Sequence, residues 1–414
     1  MKKFLIVFAI AVMVLVTTFV IFRDRDSFRP PVLTREQFLE DFDYMMEALE
    51  ANFPYFGLIY RRNGVDMLAL AEEVRETIAN EVYGINYTLF FNLINRRLFY
   101  YAFPVGHLWL VCYSEYQASA EFFDWHLFEF DTQVIRYFGD ALQWHGGEVS
   151  RYTLITNSID EGHIAYIRVP PLGDILHRSR TMIDSFYSRL DGYEHLIIDI
   201  RGNPGGWPTY FDRYIAAPLI DLDDFSNSAQ FHHFFMGGQY NRNYFSRTRT
   251  WRWQNAVIDE FFDFSIDDIS NILPDVELSA YVMEDLALMD YFFVETTTVF
   301  NLGRRRAPFN GKVWMLVDER MFSGAMQVAA FYKDIGFATF VGESGGGMPS
   351  SRVAGSNYFS LPNTNFIVRY DPNYFLDNTG RPLEYGFVPH YPNREGMDAL
   401  ETVLAMIGEG APSP

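Results

Sequence analysis

The segment HLIIDIRGNPGGWPTYF, residues 195–211, joins an apolar run to a glycine-rich loop and then to a second apolar stretch. Residues 195–200 have the length and composition of a strand buried on both faces, as in parallel sheets covered by helices. The loop DIRGNPGG, residues 199–206, has three interpretations: a phosphate cradle, a plain turn, or a set of backbone N–H groups facing a reacting oxygen. The phosphate interpretation is weak, because the spacing is not G-x-G-x-x-G and Pro204 removes a donor.

The segments before this loop predict a βαβ unit. GHIAYIRV, residues 162–169, predicts a strand, and RSRTMIDSFYSRL, residues 178–190, predicts a helix. One face of this helix is expected to carry four apolar side chains, those of Met182, Ile183, Phe186 and Leu190. With the strand at 195–200, these segments indicate an α/β fold.

The segments after residue 310 repeat the pattern. GKVWMLVDE, residues 311–319, and ATFVGE, residues 338–343, predict core strands, and SGAMQVAAFYKDIG, residues 323–336, predicts a helix between them. Parallel strands deliver their following loops to one edge of the sheet, so the loop at 199–206 is expected to meet the loop before Ser323. The segment FIVRYDPNYFLDNTGRPLEYGFVPHY, residues 366–391, then predicts a strand pair and a turn, and a closing helix follows.

The first residues predict a membrane anchor. Lys2 and Lys3 precede residues 4–22, an uncharged run long enough to span a bilayer as a helix. No small-x-small cleavage site and no lipobox cysteine follow, which favours an uncleaved signal anchor over a removed signal peptide. We therefore expect a single-pass protein of the cell membrane with the rest of the chain extracytoplasmic. Cleavage of the segment would make the protein secreted.

Composition excludes one class of partner. Asp and Glu number 53 against 33 Lys and Arg, and the formal charge of −20 argues against nucleic acid, whose phosphates need a cationic surface. Aromatic residues make up 18% of the chain, enough for a large core and for an apolar groove. The single cysteine, Cys112, cannot form an intrachain disulfide.

The sequence divides into three parts. Residues 1–31 comprise the anchor and a short linker, residues 32–107 a small N-terminal helical domain, and residues 108–414 the core. The helical part opens with TREQ, residues 34–37, whose Thr and Gln are typical of a helix capping box. Within the core, residues 207–308 are too long and too aromatic for a connector, and they predict a lid-like insertion.

Ser323 is the candidate nucleophile. It follows a predicted strand by a short loop and stands where a helix begins, next to Gly324. A hydroxyl at such a junction is exposed beside helix N-terminal N–H groups, which an oxyanion needs within reach. The structural alternative is that Ser323 only caps the helix, the commonest role of serine at such a place.

A nucleophilic serine needs a base, and His107 is the candidate among nine histidines. It lies in FPVGHLWLVCY, between the helical part and an apolar strand, and the preceding glycine leaves room around it. Four other histidines are expected at surface or strand-edge positions and are interpreted as structural: His163, His195, His232 and His233.

Several segments resemble, in order and spacing, the serine peptidases of the C-terminal processing peptidase and tricorn-core family. They are HIAYIRV, LIIDIRGNPGG, GKVWMLVDERMFSGAMQVAAF, FATFVGESGGG and GRPLEYGFVPHY. The helical segment ending in FPVGHLWLV is similar to that family's N-terminal helical region. The resemblance covers roughly residues 34–410 apart from the insertion. It implies a crotonase/ClpP-like spiral core of βαβ units, preceded by a small helical domain and carrying the lid-like insertion.

The family has two branches that differ in their base. The processing-peptidase branch uses a Ser-Lys dyad and a PDZ domain, but Met348 stands at the lysine position and too few residues follow His107 for a PDZ domain. The tricorn-like branch uses serine, histidine and a carboxylate. The resemblance to it implies Ser323 as nucleophile, His107 as general base and then acid, and Glu384 as the group that orients the base through a polar relay.

The same resemblance implies backbone oxyanion donors at Gly205, Gly206 and Gly324, and a reaction without metal or cofactor. Three departures from the family pattern affect efficiency more than fold. They are Met326 in place of an acidic helix residue, His390 in place of an aspartate, and Gly106 in place of a relay serine.

The resulting hypothesis is a membrane-anchored, extracytoplasmic serine peptidase that cuts peptides or unfolded protein through an acyl-enzyme. The alternative is a catalytically silent peptide- or lipid-binding protein on the same fold, which the aromatic excess and the missing helix carboxylate favour. An acyl-CoA enzyme of the related crotonase fold fits poorly, because an extracytoplasmic location would deprive it of its substrate.

Overall fold

The computed structural model describes residues 28–119, 130–142, 153–220, 228–248, 256–258, 262–299, 304–347 and 355–410. The predicted anchor at residues 4–22 and the position of Met348 lie outside them. Within the described ranges, no helix has both the length and the apolar character needed to cross a membrane.

Helices and strands alternate through most of the chain. The helices are α1 Arg35–Asn52, α2 Phe56–Asn63, α3 Met67–Asn80, α4 Tyr87–Asn92, α5 Tyr113–Ser119, α6 Gln133–Phe138, α7 Asp174–Arg178, α8 Arg180–Tyr187, α9 Pro208–Phe211, α10 Gln239–Thr248, α11 Ile269–Ile272, α12 Ala280–Leu286, α13 Gly324–Asp334 and α14 Ala399–Gly408. The strands are β1 Trp109–Leu110, β2 Ile155–Asp160, β3 Ile164–Arg168, β4 His195–Asp199, β5 Ser228–Phe235, β6 Ala256–Ile258, β7 Phe262–Asp263, β8 Tyr291–Thr298, β9 Lys312–Val317, β10 Thr339–Gly342, β11 Asn357–Ser360, β12 Ile367–Tyr370, β13 Asn373–Leu376 and β14 Tyr391–Pro392. Short π- or 3₁₀-helical segments span Leu93–Leu98, Phe99–Ala102, Gly139–Leu142, Asp212–Ala216, Ile266–Asp268 and Leu383–Tyr385.

A parallel sheet forms the centre of the described structure, with six strands in the order β14-β10-β9-β4-β3-β2. The strands from β14 to β3 pair in parallel, and β2 pairs antiparallel with β3. Successive side chains point to opposite faces. Ile198 and Met315 share a hydrophobic cluster with α13, while Ile197 and Trp314 share one with α14. The predicted α/β core, with helices on both faces of its parallel strands, is confirmed.

Helix α8 buries a narrower face than its periodicity predicts. Ile183, Phe186 and Leu190 are buried, but Met182 is 42% exposed. Because the helix ends at Tyr187 and makes only about two turns, one thin stripe of it reaches the sheet.

Two further sheets lie beside the central one. Strands β1, β12 and β11 form an antiparallel sheet, and the described strands β13, β5, β8 and β6 form another, with β7 pairing to β8. The strand pair predicted within residues 366–391 corresponds to β12 and β13, which do not pair with each other. Strand β12 pairs with β1 and β11, whereas β13 pairs with β5, so the chain changes sheets at Asp371 and Pro372.

The predicted insertion supplies most of the third sheet. Strands β5 to β8 come from residues 207–308, and β13 comes from the later part of the chain. The insertion is therefore tied by backbone hydrogen bonds to the segment that follows Asp371. Its function as a lid stays a prediction.

Helix α1 begins where the sequence predicts. Thr34 and Gln37 form a reciprocal capping box at the start of α1. The apolar residues at helical spacing in α1 are buried: Phe38, Phe42, Met45, Met46 and Leu49. They share one hydrophobic cluster with Phe359, Val368 and Tyr374 of strands β11, β12 and β13. The helices thus pack directly onto the segment that carries Asp371.

Candidate functional site

Ser323, His107 and Asp371 form a hydrogen-bonded chain. The Ser323 Oγ lies 3.1 Å from Nε2 of His107, and Asp371 Oδ2 lies 2.5 Å from Nδ1 of the same ring. His107 is 2% exposed and Asp371 is 1% exposed. A proton on Nδ1 donates to the carboxylate, which leaves the Nε2 lone pair to accept from the serine hydroxyl.

Ser323 stands at a sharp turn between the loop after β9 and helix α13. Its φ of +51° lies in the left-handed region, which costs a non-glycine residue energy and is found where a side chain must be presented. Its N–H donates to the carbonyl of Gly347 at 2.9 Å, which fixes the turn. Although Ser323 occupies the cap position of α13, its side chain makes no capping hydrogen bond. The interpretation of Ser323 as a simple helix cap is therefore not supported.

His107 is held by aromatic rings and by the backbone. The rings of Trp109 and Phe322 lie with their centroids 5.5 Å and 5.4 Å from the imidazole. The backbone of His107 also has a positive φ, +41°, which turns the ring toward Ser323 at the point where the helical segment ends and β1 begins. Such packing restricts the ring to the orientation that the two hydrogen bonds need.

Burial lowers the pKa of His107 from its ordinary value of 6.5, because the charged imidazolium loses its hydration. The negative charge of Asp371 acts in the opposite direction and offsets part of this shift, while Arg369 adds to it. The net direction is downward, so at neutral pH the ring is neutral and available as a base.

Asp371 is the residue that sequence reasoning missed. It follows β12 directly, its N–H donates to the carbonyl of Gly106 at 2.7 Å, and the hydroxyl of Ser356 donates to its Oδ1 at 2.7 Å. Arg369 donates to Ser356 at 3.0 Å and forms an ion pair with Glu115. A polar residue before proline, between two apolar runs in VRYDPNYF, is the signal that marks this position.

Glu384 lies in the 3₁₀ turn Leu383–Tyr385 and is fully buried. Its backbone carbonyl accepts a hydrogen bond from Arg62. Burial raises the pKa of Tyr55 well above its ordinary value, and the charges of Glu384 and Asp371 add to that rise, so both carboxylates act on this tyrosine. The side chain that contacts Nδ1 is nevertheless Asp371, where the resemblance implies Glu384. A relay from Glu384 to His107 stays a prediction.

The glycine loop that follows β4 packs against the serine turn. A Cβ atom on Gly205 would lie 2.4 Å from the carbonyl oxygen of Phe322 and 2.9 Å from the Cβ of Ser323. A Cβ on Gly324 would lie 2.1 Å from the carbonyl oxygen of Gly206. The expectation that the two loops meet at the carboxyl edge of the sheet is confirmed by these contacts, which leave no room for larger side chains.

Asn203 organises this loop. Its Oδ1 accepts the N–H of Gly205 at 2.9 Å, and its side-chain amide donates to the carbonyls of Val169 and Pro170 at 3.1 Å and 2.9 Å. Its own carbonyl accepts the N–H of Phe322 at 3.0 Å. The N–H of Gly205, expected to face the oxyanion, is thus already engaged.

The N–H groups of Gly206 and Gly324 are better candidates for oxyanion donors than the N–H of Gly205, which is bonded to Asn203. Neither of their N–H groups donates to another residue in the described part of the chain. The two residues approach so closely that a Cβ on Gly324 would lie 3.2 Å from the nitrogen of Gly206. Both flank Ser323, so the pair replaces Gly205 as the main candidate for oxyanion donors.

Two departures from the family pattern have structural explanations. Met326 is fully buried in the cluster that packs α13 onto the sheet, so an apolar contact stands where the family has an acid. The Nδ1 of His390 accepts the N–H of Phe340 at 3.0 Å, which satisfies a backbone donor of β10.

Among the described residues, one group has the donor types and spacing for a metal ion, and it lies outside this site: His163, Glu194 and His195.

Comparison with known proteins places the chain in a family. No curated protein matches it. A crystal structure from Parabacteroides merdae, of a protein described as a candidate peptidase, aligns with a TM-score of 0.51 and 16% identity over 92% of this chain and 100% of that one. Mature CPAF complexed with lactacystin aligns with a TM-score of 0.48 and 11% identity over 91% and 97% of the two chains. The family model for peptidase family S41 matches residues 163–392, more than half of the 414 residues. The chain therefore belongs to peptidase family S41 and is a serine-type peptidase.

Proposed function

We propose that the chain hydrolyses peptide bonds through an acyl-enzyme on Ser323, with His107 as base and then acid, and with Asp371 orienting His107. One observation carries the proposal: Nε2 of His107 lies 3.1 Å from Ser323 Oγ while Nδ1 lies 2.5 Å from Asp371. A nucleophile within hydrogen-bond reach of a base that a third group orients is the arrangement that activates serine.

The reaction begins when Ser323 gives its proton to Nε2 of His107 as Oγ bonds to the carbonyl carbon. We assign the resulting oxyanion to the N–H groups of Gly206 and Gly324. The imidazolium then protonates the leaving amine, the C–N bond breaks, and an ester remains on Ser323. Water attacks this ester as His107 takes its proton, and return of that proton to Oγ releases the carboxylate product.

Asp371 contributes through the charge that appears on His107 during each proton transfer. The buried carboxylate stabilises the imidazolium and keeps the proton of the neutral ring on Nδ1. Ser356 donates to the other oxygen of Asp371, so the carboxylate keeps its position while the ring changes charge. The resemblance offers Glu384 as an alternative orienting group, and the two assignments predict different mutant phenotypes.

Exposed aromatic side chains beside the site favour apolar segments of peptide or unfolded protein as substrates. The Phe103 ring stacks on Phe322 at a centroid distance of 5.3 Å, and Phe103 is 48% exposed. Trp207, which follows the oxyanion loop, is 40% exposed. Phe322 directly precedes Ser323, so the exposed Phe103 ring offers an apolar surface next to the nucleophile.

The proposal includes anchoring of the enzyme outside the cytoplasm. The apolar run at residues 4–22 after Lys2 and Lys3 supports a single-pass signal anchor, with residues 23–31 as the linker to the helices. Fractionation of cells that express the full chain, followed by external protease treatment of intact cells, tests this part. Recovery of the chain in the soluble cytoplasmic fraction would contradict it.

Labelling with a fluorophosphonate probe tests the site directly. We expect labelling of the native chain and none of Ser323→Ala or His107→Ala. Peptide hydrolysis by either variant should fall by up to about 10⁶-fold, because nucleophile and base act as a unit. Both variants should unfold near the native temperature, which separates lost chemistry from lost fold. A native chain that takes up no probe, yet binds peptide and releases it uncleaved, would favour the silent binding protein instead.

A further inference from the structure

We infer that His163, Glu194 and His195 form a binding site for a divalent transition-metal ion at the amino end of the central sheet. One ligand atom from each side chain lies within 4.8 Å of the other two. Nδ1 of His163 and Oε2 of Glu194 are 3.2 Å apart. The site is separate from the Ser323 machinery, and its existence does not depend on the proposed reaction.

The backbone holds the three residues in register before any ion binds. The N–H groups of Glu194 and His195 both donate to the carbonyl of His163, at 3.2 Å and 3.0 Å. The carbonyl of Glu194 accepts the N–H of Lys312 at 2.8 Å. The ligands therefore stand on two adjacent strand ends whose separation is fixed by the sheet, so binding does not have to order the main chain.

The donor set determines the class of ion. Two imidazoles and one carboxylate suit Zn²⁺ and its neighbours, whereas Mg²⁺ and Ca²⁺ prefer all-oxygen sites. With bonds of about 2.0–2.1 Å, ligand atoms on a tetrahedral zinc lie about 3.3 Å apart. The His163–Glu194 pair already has this spacing. Glu194 is a 68% exposed side chain, so it can adjust toward His195, and water completes the coordination.

Trp314 links the site to the core of the sheet. Its Nε1 donates to Nδ1 of His195 at 3.3 Å, and the two rings lie 6.2 Å apart. The ammonium of Lys312 lies over the Trp314 ring at 4.3 Å and is the nearby positive charge that an incoming cation meets. Metal ligation by either nitrogen of His195 displaces the weak hydrogen bond from Trp314, because one nitrogen then binds the ion and the other carries a proton. Trp314 is thus a built-in reporter of occupancy.

The position of the site assigns the ion a structural role. Strand β4 runs from His195 to Asp199, and four steps of about 3.3 Å place the two ends about 13 Å apart. The glycine loop and Ser323 lie beyond the Asp199 end. An ion at His195 therefore does not reach the reacting atoms, and its effect is to tie the start of β3 to the start of β4.

Thermal unfolding of full-length, untagged protein stripped with EDTA and dialysed tests the site. Zinc at a hundredfold excess over its dissociation constant should raise Tm by about 3 °C, since an ion that binds only the folded chain stabilises it by mass action. Magnesium at the same concentration should not. His163→Gln and His195→Gln should remove the zinc shift, whereas His177→Gln, an exposed histidine elsewhere, should retain it.

Copper quenching of tryptophan fluorescence provides a second measurement. Cu²⁺ should quench the component that Trp314→Phe lacks, and His195→Gln should abolish that part of the quenching. Absence of a zinc shift in the native chain overturns the inference. The inference is also overturned if the zinc-induced rise in Tm, or the copper quenching of Trp314, persists in both His163→Gln and His195→Gln.

Discussion

The carboxylate of Asp371 lies 2.5 Å from Nδ1 of His107, although 264 positions separate the two residues in the sequence. The main chain joins them as well, because the N–H of Asp371 donates to the carbonyl of Gly106. Side chain and backbone together fix the imidazole, and Nε2 is left facing Ser323. This geometry supports the proposal that Asp371, and not Glu384, orients His107.

Asp371→Asn should lower kcat by up to about 10⁴-fold, because an amide in this place favours the wrong tautomer of His107 and does not stabilise its charged form. KM should change little, since the side chain is buried away from substrate. Steady-state kinetics on a fluorogenic peptide measures both constants, and circular dichroism checks that the fold is retained.

Glu384→Gln is the matched comparison for that variant, because it also neutralises a fully buried carboxylate near Tyr55. If Asp371 orients His107 directly, Glu384→Gln should retain most of the native kcat. The reverse ranking, with Glu384→Gln the more damaged enzyme, would support the relay that the family resemblance implies.

The acid limb of the pH profile should lie below pH 6.5. Attack by Ser323 requires neutral His107, so kcat/KM rises as pH passes upward through the pKa of this residue and then levels off. Burial lowers that pKa from 6.5, and Asp371 partly offsets the shift. Asp371→Asn should thus move the midpoint further down. A native midpoint above 6.5, measured over pH 4–8, would contradict the downward shift of the His107 pKa, and a profile without an acid limb would contradict the assignment of His107 as the base.

Local patterns predicted the core strands and identified three candidate elements of the site, to which the family resemblance then assigned roles. The apolar run and glycine loop at 195–206, the strand-to-helix junction at Ser323 and the glycine before His107 are all readable within a few residues. They were predictable because strand burial, loop chemistry and helix starts depend mainly on neighbouring residues.

Asp371 could not be found in that way, because its role depends on strand pairing between distant segments. The strand pair predicted within residues 366–391 is divided between two sheets, because β12 joins β1 and β11 while β13 joins β5. Because the chain changes sheets at Asp371, the carboxylate of this residue lies within hydrogen-bond distance of Nδ1 of His107. The engagement of the Gly205 N–H by Asn203 likewise depends on a side-chain conformation that no periodicity encodes.

Asn203→Ala should reduce kcat while leaving KM nearly unchanged. The side chain makes three hydrogen bonds that join the glycine loop to the segment after β3, so its loss frees the loop that carries Gly206. We expect a decrease of up to about 10²-fold, the lower end of the cost of removing an oxyanion donor. Fluorophosphonate labelling of Ser323 should slow in parallel. Native kcat in this variant would show that the loop keeps its geometry without Asn203.

Gly205→Ala should damage both stability and activity, and Gly162→Ala is its control. Both glycines have positive φ, +89° and +77°, so a side chain costs each about 1–2 kcal/mol of backbone strain. At Gly162 nothing lies within 4 Å of the added Cβ, whereas at Gly205 the Cβ meets the Phe322 carbonyl at 2.4 Å. Gly162→Ala should therefore lower Tm slightly and keep kcat, while Gly205→Ala should lower Tm further and displace the turn that presents Ser323. Equal Tm losses with native kcat in both variants would mean that the close packing of the two loops is not required for the reaction.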